Sequence, residues 1–327
     1  MAPDAPRSLL ERRVVIVTGK GGTGKTTVTA ALAVAAAKAG KRVLVAEMGR
    51  DEQIPRLLCP GSPAVGYVGR ELMPGIRAMR IDPFEALSEY LTLQIGLKPL
   101  VDTVISNQAF QQLMTAAPGW RELITLGKIW HLEQLREPDG RPCYDYIVVD
   151  APATGHGVTF LDVPRVVISA VRAGPLHQHT EAVEALIEDP ERTLLLPVTL
   201  AEELPVRETN ELIERVRSDL AIAVDRVVVN AVAPAPFPAG LEHLDEALAR
   251  LPDAIPLGAL PPPGQLAACA RTLRLRHELN ARFVSEIAEG TALPLVILPR
   301  LHGGIEGPRE IEELASALVA MPSLEAR

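Results

Sequence analysis

The chain has 327 residues, of which 47 % are hydrophobic and only 3 % aromatic, so its core must be built mainly from alanine, valine and leucine. That length exceeds an average domain but fits one large α/β domain with an insertion. The net charge of −8 argues against a nucleic-acid-binding protein, whose surface usually carries an excess of basic residues.

Short apolar runs alternate with helical stretches along the chain. Several of these runs are continuously apolar, as expected for strands buried on both faces of a parallel sheet. The helical stretches between them are long enough to serve as crossover connections. We therefore predict an α/β fold with a doubly wound, mostly parallel sheet. The predicted strands are 14–18, 43–47, 78–81, 146–150, 194–199, 226–230 and 293–298.

A glycine-rich loop follows the first predicted strand and precedes an alanine-rich helix. Residues 19–26 read GKGGTGKT, the G-x-x-x-x-G-K-[ST] pattern of a phosphate-binding loop. Glycines let consecutive backbone N–H groups curl around a polyphosphate, and the helix N-terminus adds partial positive charge. Lys25 would reach the β- and γ-phosphates, and the Thr26 hydroxyl would ligate Mg²⁺. The pattern predicts binding of ATP and Mg²⁺, with phosphate contacts from Gly21, Gly22, Thr23, Gly24, Lys25, Thr26 and Thr27.

The interval between the third and fourth predicted strands is too long for one crossover. It contains three predicted helices, of which the second covers 98–114 and is followed by a Pro-Gly break. We predict that residues of about 84–136 form a helical subdomain, to which a later helical stretch over 264–288 contributes, within a single domain spanning 1–327. The subdomain either offers a surface to a partner or client, or simply belongs to the core.

A carboxylate ends the predicted strand 146–150. Asp150 stands where proteins with a phosphate loop usually place the second element of the Mg²⁺ site. The loop that follows Asp150 in the sequence contains Thr154, Gly155 and His156. This loop is well placed to sense the γ-phosphate. Asp150 is therefore a candidate catalytic residue and a magnesium ligand acting through water. An ordinary strand-end aspartate and an ordinary loop histidine are the alternatives.

The cysteines and the N-terminal segment favour a cytoplasmic protein. Cys59, Cys143 and Cys269 are far apart and form no C-x-x-C pair, which argues against a disulfide framework or a zinc clip within one chain. The segment 1–13 has no apolar stretch typical of a secretory leader, and no run of about 18 uncharged apolar residues occurs. We expect a soluble protein with reduced thiols and no integral membrane segment.

Lys20 extends the phosphate loop to K-G-G-T-G-K-T over 20–26, the form known as a deviant Walker A. In this respect the chain resembles the superfamily of ParA, MinD, the nitrogenase iron protein and the arsenite-transport ATPases, a group of P-loop NTPases in the SIMIBI class. The resemblance implies that Lys20 crosses a dimer interface to the nucleotide of a second subunit and takes part in catalysis there.

Later segments narrow the resemblance to the arsenite-transport ATPase (ArsA) and the guided-entry ATPase that targets tail-anchored membrane proteins. Segment 150–161, DAPATGHGVTFL, resembles switch II of that family in the spacing from its Asp through Thr-Gly-His to Phe-Leu. The resemblance also implies an adenine contact from Asn230 and a nucleotide contact from Pro299. Further segments that carry it are ETNEL (208–212), VVVNAV (227–232) and PLVILPRLHGGIEG (294–307).

The sequence departs from the family pattern in two ways. The family's switch I has an aspartate that orients the attacking water, and its position is Gly49 here. Glu47 or Asp51 would take its place, since either carboxylate would polarise a water near the γ-phosphate. If neither does, hydrolysis is slow and ATP binding itself is the switch. The C-x-x-C that binds zinc between subunits of the eukaryotic targeting ATPase is absent, and arsenite-coordinating cysteines are not evident.

The resemblance predicts a cytosolic switch ATPase that works as a homodimer or as a heterodimer with a paralogue. ATP-driven closure would be coupled to binding of a client, such as a hydrophobic membrane-protein helix, or of a membrane partner. Two alternatives stay open, a low-activity nucleotide-binding scaffold and a positioning ATPase like ParA or MinD, although the acidic C-terminal segment argues against the latter. A redox protein like the nitrogenase iron protein would need paired cysteines around a cluster.

Overall fold

The structure, a computed structural model, describes residues 8–49, 51–116, 119–152, 159–255 and 258–319. The strands in these residues are β1 (Val14–Thr18), β2 (Val43–Glu47), β3 (Arg70–Met73), β4 (Ile76–Arg80), β5 (Tyr146–Asp150), β6 (Thr193–Leu200), β7 (Val227–Val232) and β8 (Leu295–Pro299). The helices are α1 (Lys25–Lys38), α2 (Ile54–Leu58), α3 (Pro83–Ile95), α4 (Lys98–Ser106), α5 (Gln108–Ala116), α6 (Trp120–Gln134), α7 (Thr159–Ala170), α8 (Pro175–Glu188), α9 (Glu203–Asp219), α10 (Leu244–Ala249), α11 (Pro263–Thr291) and α12 (Pro308–Val319).

One sheet of eight strands runs through the described residues in the order β3-β4-β2-β5-β1-β6-β7-β8. Each neighbouring pair is parallel except β3 with β4, which is antiparallel. The helices cover both faces of the sheet. The predicted α/β fold with a doubly wound, mostly parallel sheet is confirmed.

Alternate residues of a strand face opposite sides of the sheet, and this explains the continuously apolar runs. Val15 and Val17 of β1 pack in one core with α1 and α12, whereas Val14 and Ile16 pack in a second core with α6 and α8. Full burial of a valine or isoleucine side chain contributes about 1.5–3 kcal/mol. Because both faces are covered, a polar residue at any of these positions would lose that contribution and bury an unpaired group.

The predicted strands that became β1, β2 and β5 have the observed bounds, and the other four differ only at their ends. Strand β3 was not predicted. It is a short edge strand with the sequence RELM, in which Arg70 and Glu71 are exposed, so it has no apolar run that sequence reasoning could detect. Charged residues on an edge strand hinder pairing with another chain, which is a physical reason for this composition.

Between β4 and β5 the described residues form four helices, where three were predicted. The predicted helix over 98–114 is divided at Asn107, whose backbone is extended with ψ 123°. Asn107 Oδ1 accepts the backbone N–H of Phe110 at 3.2 Å, so this residue both ends α4 and caps α5. Gly119, with φ +78°, directly precedes α6, and Pro118 lies outside the described residues. That these helices act as a subdomain stays a prediction.

The later helical stretch, predicted over 264–288, is part of α11, which has 29 residues. Phe283 and Ile287 anchor its C-terminal half in a core shared with α9 and β7. Its N-terminal half packs on α10, where Arg274 Nη2 lies 2.9 Å from Asp245 Oδ2. Within the described ranges, no helix is both long enough and apolar enough to cross a membrane.

Candidate functional site

The C-terminal ends of the central strands bring several predicted site residues to one edge of the sheet. In the parallel register, Asp150 of β5 lies beside Val17 of β1 and Glu47 of β2. Asn230 of β7 lies beside Leu200 at the end of β6. Ligands of open α/β sheets bind outside the carboxyl ends of the strands, so this edge is the candidate site.

Two glycines of the loop between β1 and α1 have no room for a side chain. Gly19 has φ +144°, and a Cβ atom there would lie 2.1 Å from the carbonyl oxygen of Val198 in β6. Gly24 has φ +88°, and a Cβ atom there would lie 2.1 Å from Asn230 Nδ2. The same Asn230 amide donates to the carbonyl oxygen of Thr23 at 2.9 Å. The loop is therefore held tightly against β6 and β7, which glycine alone permits at these two positions.

The opposite part of the loop is open to a ligand. Gly21 and Gly22 are exposed, whereas Lys25 at the start of α1 is only 7 % exposed. Lys25 Nζ donates to the carbonyl oxygen of Lys20 at 3.1 Å. Burial lowers the pKa of the Lys25 ammonium, and the charge of Asp150 opposes this shift. A buried cation that faces a neutral carbonyl oxygen gains stabilisation from an added anion such as a phosphate.

Thr26 and Asp150 form the part of the site that fits a magnesium ion. Thr26 Oγ1 donates to Asp150 Oδ2 at 2.7 Å. Burial raises the pKa of Asp150, while the Thr26 hydroxyl and the charge of Lys25 lower it. Nearby at the strand ends, Thr18 Oγ1 and Glu47 Oε2 are buried without a hydrogen-bond partner among the described residues. The Thr26 hydroxyl and the Asp150 carboxylate are hard oxygen donors and suit Mg²⁺, which takes one or two carboxylates together with waters and phosphates.

Glu47 ends β2 and is only 2 % exposed. Its Oε1 accepts the backbone N–H groups of Gln53 at 2.7 Å and Ile54 at 3.0 Å, at the start of α2. Burial raises the pKa of Glu47 to about 7 against these two hydrogen bonds, and the charge of Asp150 adds to the rise. Asp51, the other predicted base, is exposed. The structure thus brings Glu47, and not Asp51, to the buried edge of the sheet.

Lys20 has a partner within its own chain. Its Nζ lies 2.5 Å from Glu208 Oε1 of α9, and the two side chains are 33 % and 37 % exposed. Glu208 is the first residue of the ETNEL segment. An ion pair with this degree of exposure contributes about 0–1 kcal/mol to stability. Breaking it so that Lys20 can bind a phosphate group would therefore cost little free energy.

A cleft beside Pro299 lies at the same edge of the sheet as Asn230, since Pro299 ends β8 and pairs with Val232 of β7. It has a volume of about 460 Å³, and Pro234, Pro299 and Arg300 are among the residues that line it. This volume is typical of small-molecule sites. Asn230 is 9 % exposed, and the hydrogen bond from its amide holds the phosphate loop. Its predicted contact with adenine, like that of Pro299 with the nucleotide, stays a prediction.

Of the other residues predicted for the site, some lie within the described residues and some outside them. Thr27 is half-buried in the first turn of α1, whereas Thr154, Gly155 and His156 lie outside the described residues. Sequence reasoning missed Thr29, whose Oγ1 lies 3.5 Å from Asp150 Oδ1, although its position one turn after Thr26 was a usable signal. It also gave no role to Glu208, which stood in a recognised segment.

Known proteins share much of this sequence. Residues 12–173, which contain the phosphate loop, Glu47 and Asp150, match the model of a family described as anion-transporting ATPase, ArsA_ATPase. ATPase BagA of Mycobacterium tuberculosis is 35 % identical over 235 residues, which cover 70 % of this chain and 68 % of that protein.

Two arsenical pump-driving ATPases are more distant relatives. Those of Acidiphilium multivorum and Escherichia coli are 28 % and 29 % identical, over 66 % and 67 % of this chain. The alignments cover 39 % of each of those two proteins. The family model matches the region that contains the phosphate loop, and the similarity to BagA extends over two thirds of both chains. This protein is therefore an ATPase of the ArsA family.

Proposed function

We propose that this ATPase is a cytoplasmic, Mg²⁺-dependent switch that works as a pair of subunits, either two copies of this chain or one copy and a paralogue. The observation that carries the proposal is the different setting of the two loop lysines. Lys25 is buried near Asp150, whereas the Lys20 side chain is 33 % exposed and, among the described residues, pairs with the half-buried Glu208. An exposed cation on the phosphate loop is well placed to stabilise the phosphates of a nucleotide in a facing subunit.

Within one subunit, the backbone amides of residues 21–27 and the Lys25 ammonium would bind the β- and γ-phosphates. Thr26 and Asp150 would hold the metal from two sides, because they come from α1 and β5. Bound Mg²⁺ neutralises negative charge on the β- and γ-phosphate oxygens. Lys20 of the facing subunit would then add charge stabilisation as the γ-phosphate departs.

We assign the general base to Glu47. Its Oε1 is fixed by two backbone N–H groups, while its Oε2 is buried and has no partner in the described part of the chain. A pKa of about 7 suits proton transfer at neutral pH. Replacing Glu47 by Gln is expected to lower kcat by about 10²–10⁴-fold, with a smaller change in KM. Asp51→Asn is the control, and a kcat loss in that variant alone would transfer the role to Asp51.

Exposed apolar side chains on two helices support a client-binding role. We define the α3–α4 surface by Leu93, Ile95, Leu97, Leu100 and Val104, which are 40–64 % exposed. Contiguous exposed apolar residues often mark protein interaction sites. The apolar face of an amphipathic or membrane-spanning helix would bury this surface, so a hydrophobic helix is the client that its chemistry favours.

The dimer is tested by sedimentation velocity with and without Mg·ATP or a transition-state analogue. We expect ATP to shift the wild-type protein from one subunit to two, and Lys20→Ala to bind ATP but remain a single subunit. Lys25→Ala is expected to lose ATP binding, because its buried cation meets the phosphates directly. Lys38→Ala, on the far end of α1, is the control. An unchanged mass with every nucleotide would contradict the paired switch.

The client role is tested by crosslinking to a synthetic hydrophobic helix in the presence of ATP. Replacing Leu93 and Leu97 by serine is expected to abolish the crosslink. Replacing Leu273 and Leu275 of α11, which are comparably exposed, is the matched control. An equal loss of the crosslink in both double variants would mean that the helix adheres to any apolar surface. That result would contradict the assignment of the client site to the α3–α4 surface.

A low-activity scaffold is the second candidate, and Gly49 favours it because no carboxylate stands at the family's base position. In that case ATP binding alone would drive the switch. A single-turnover measurement of phosphate release distinguishes the two functions. The scaffold would close on ATP, and its dimer would dissociate before phosphate is released. The same measurement on Glu47→Gln would show no further loss if the scaffold is correct.

A further inference from the structure

We infer that Asn280 of α11 is a positioning residue for the base-binding half of the nucleotide site. Its side chain joins the two chain segments that leave β6 and β7. Asn280 Nδ2 donates to the carbonyl oxygen of Ala201 at 2.9 Å, and its Oδ1 accepts the backbone N–H of Ala233 at 2.8 Å. The inference rests on the proposed function and on the predicted contacts of Asn230 with adenine and of Pro299 with the nucleotide, which together place the base at this edge of the sheet.

The bridge lies where regular strand pairing ends. Leu200 and Asn230 form the last pair between β6 and β7. The next residue, Ala231, has φ +54°, a left-handed conformation that is uncommon for a residue with a side chain and that must be stabilised by its surroundings. The pairing of β7 with β8 is also irregular between Val229 and Val232. The strand geometry is thus disturbed directly after Asn230, the residue that holds the phosphate loop, and β7 ends two residues later.

Buried backbone groups beyond this point need partners that the sheet no longer supplies. Ala201 is 2 % exposed and Ala233 is 8 % exposed, so water cannot readily satisfy them. An asparagine side chain offers both a donor and an acceptor, and Asn280 uses one on each segment. His277, nearly one turn earlier on α11, adds a contact of 2.9 Å from its Nδ1 to the carbonyl oxygen of Ala233.

The bridged segment forms part of the wall of the cleft. Pro234 follows Ala233 and lines the 460 Å³ cleft together with Pro299. Loss of the Asn280 bridge would leave Ala233 held only at its carbonyl oxygen, by His277, among the contacts of the described residues, so Pro234 would shift. The phosphate loop has an independent support, since Asn230 holds it by a hydrogen bond to Thr23 from within the paired part of β7. Removing Asn280 should therefore weaken binding of the base and leave binding of the triphosphate largely intact.

The test compares the dissociation constants of Mg·ATP and of inorganic tripolyphosphate by calorimetry on the full chain. For Asn280→Ala we expect ATP to bind about ten-fold more weakly, while tripolyphosphate changes by less than about two-fold. In Asn280→Asp the second carboxylate oxygen would face the carbonyl oxygen of Ala201 and be repelled by it, so the side chain must turn away from both segments and the same selective loss is expected. Arg282→Ala, an exposed neighbour on α11, is the control.

The two ligands separate this inference from the proposed site. Equal losses for ATP and tripolyphosphate, or no loss for either, would overturn the positioning role and leave the nucleotide site in place. A wild-type protein that binds neither ligand would overturn both. If Asn280→Ala does not fold, as judged by its thermal unfolding midpoint, Asn280→Asp decides the question. At saturating ATP, kcat of both variants should stay within about two-fold of the wild type, because the phosphate contacts are unchanged.

Discussion

Replacing Gly24 by alanine is expected to detach the phosphate loop from β7, and the cost follows from its surroundings. Placing a residue with a side chain at φ +88° lowers the stability of the folded state by about 1–2 kcal/mol, because its Cβ atom crowds the following carbonyl oxygen. The new Cβ atom would lie 2.1 Å from Asn230 Nδ2, so the amide must move and lose its hydrogen bond to Thr23. Leaving these buried groups unpaired costs about 1–3 kcal/mol. The substitution should therefore lower the free energy of unfolding by about 2–5 kcal/mol.

A second substitution shows whether the clash with Asn230 is the cause. Asn230→Ala alone should cost about 1–3 kcal/mol, because the Thr23 carbonyl oxygen loses its donor. In the double variant the amide is already gone, so Gly24→Ala adds only its backbone cost of about 1–2 kcal/mol. The two substitutions are therefore predicted to be non-additive by about 1–3 kcal/mol.

Urea unfolding of the ligand-free protein, followed by circular dichroism, measures these differences, and the slope m should stay constant. Gly22→Ala is the matched control. Gly22 has a similar φ of +85°, but a Cβ atom there would have no neighbour within 4 Å, so only the backbone cost of about 1–2 kcal/mol is expected. Additive effects of Gly24→Ala and Asn230→Ala would refute the reasoning, because the clash would then contribute nothing.

Two further predictions concern buried carboxylates. Burial raises the pKa of Glu47 from its ordinary value of 4.5 to about 7, so the folded protein holds an extra proton between these values. The free energy of unfolding should fall by about 3 kcal/mol as the pH rises through this window and level off above it. Urea unfolding across this pH range should show the fall reduced in Glu47→Gln and kept in Glu214→Gln, an exposed control on α9; identical profiles would contradict the assignment. Glu133, 2 % exposed, pairs with Arg13 at 2.7 Å and Arg192 at 2.6 Å. Because the two arginines retain some exposure, Glu133→Gln should lower the free energy of unfolding by about 2–3 kcal/mol, somewhat less than the loss of about 3–5 kcal/mol for breaking a fully buried ion pair; a loss below about 0.5 kcal/mol in urea unfolding would show that water replaces the carboxylate.

The central strands could be located from the sequence because burial on both faces leaves a continuous apolar run. The same reasoning fails at β3, an edge strand whose exposed Arg70 and Glu71 carry no such pattern. It also fails at Asn107, which divides a predicted helix, because a single side-chain cap decides between one long helix and two short ones. Apolar periodicity reports burial, and neither feature depends on burial.

For the site, the sequence by itself determined the phosphate loop, since its glycines and lysine are local and consecutive. It left the general base open between Glu47 and Asp51. The tertiary structure separated these carboxylates, because the strand order sets Glu47 beside Asp150 and leaves Asp51 exposed.

Other features of the site arise from contacts between distant segments. Asn230 and Thr23 are 207 residues apart and Lys20 and Glu208 are 188 apart, yet each pair is joined by a hydrogen bond. No local pattern specifies such contacts, because they depend on which strands the chain places side by side. The loop's ability to bind phosphate could thus be predicted from the sequence, whereas the residues that brace it and shape the adjoining cleft were decided by the order of strands in the sheet.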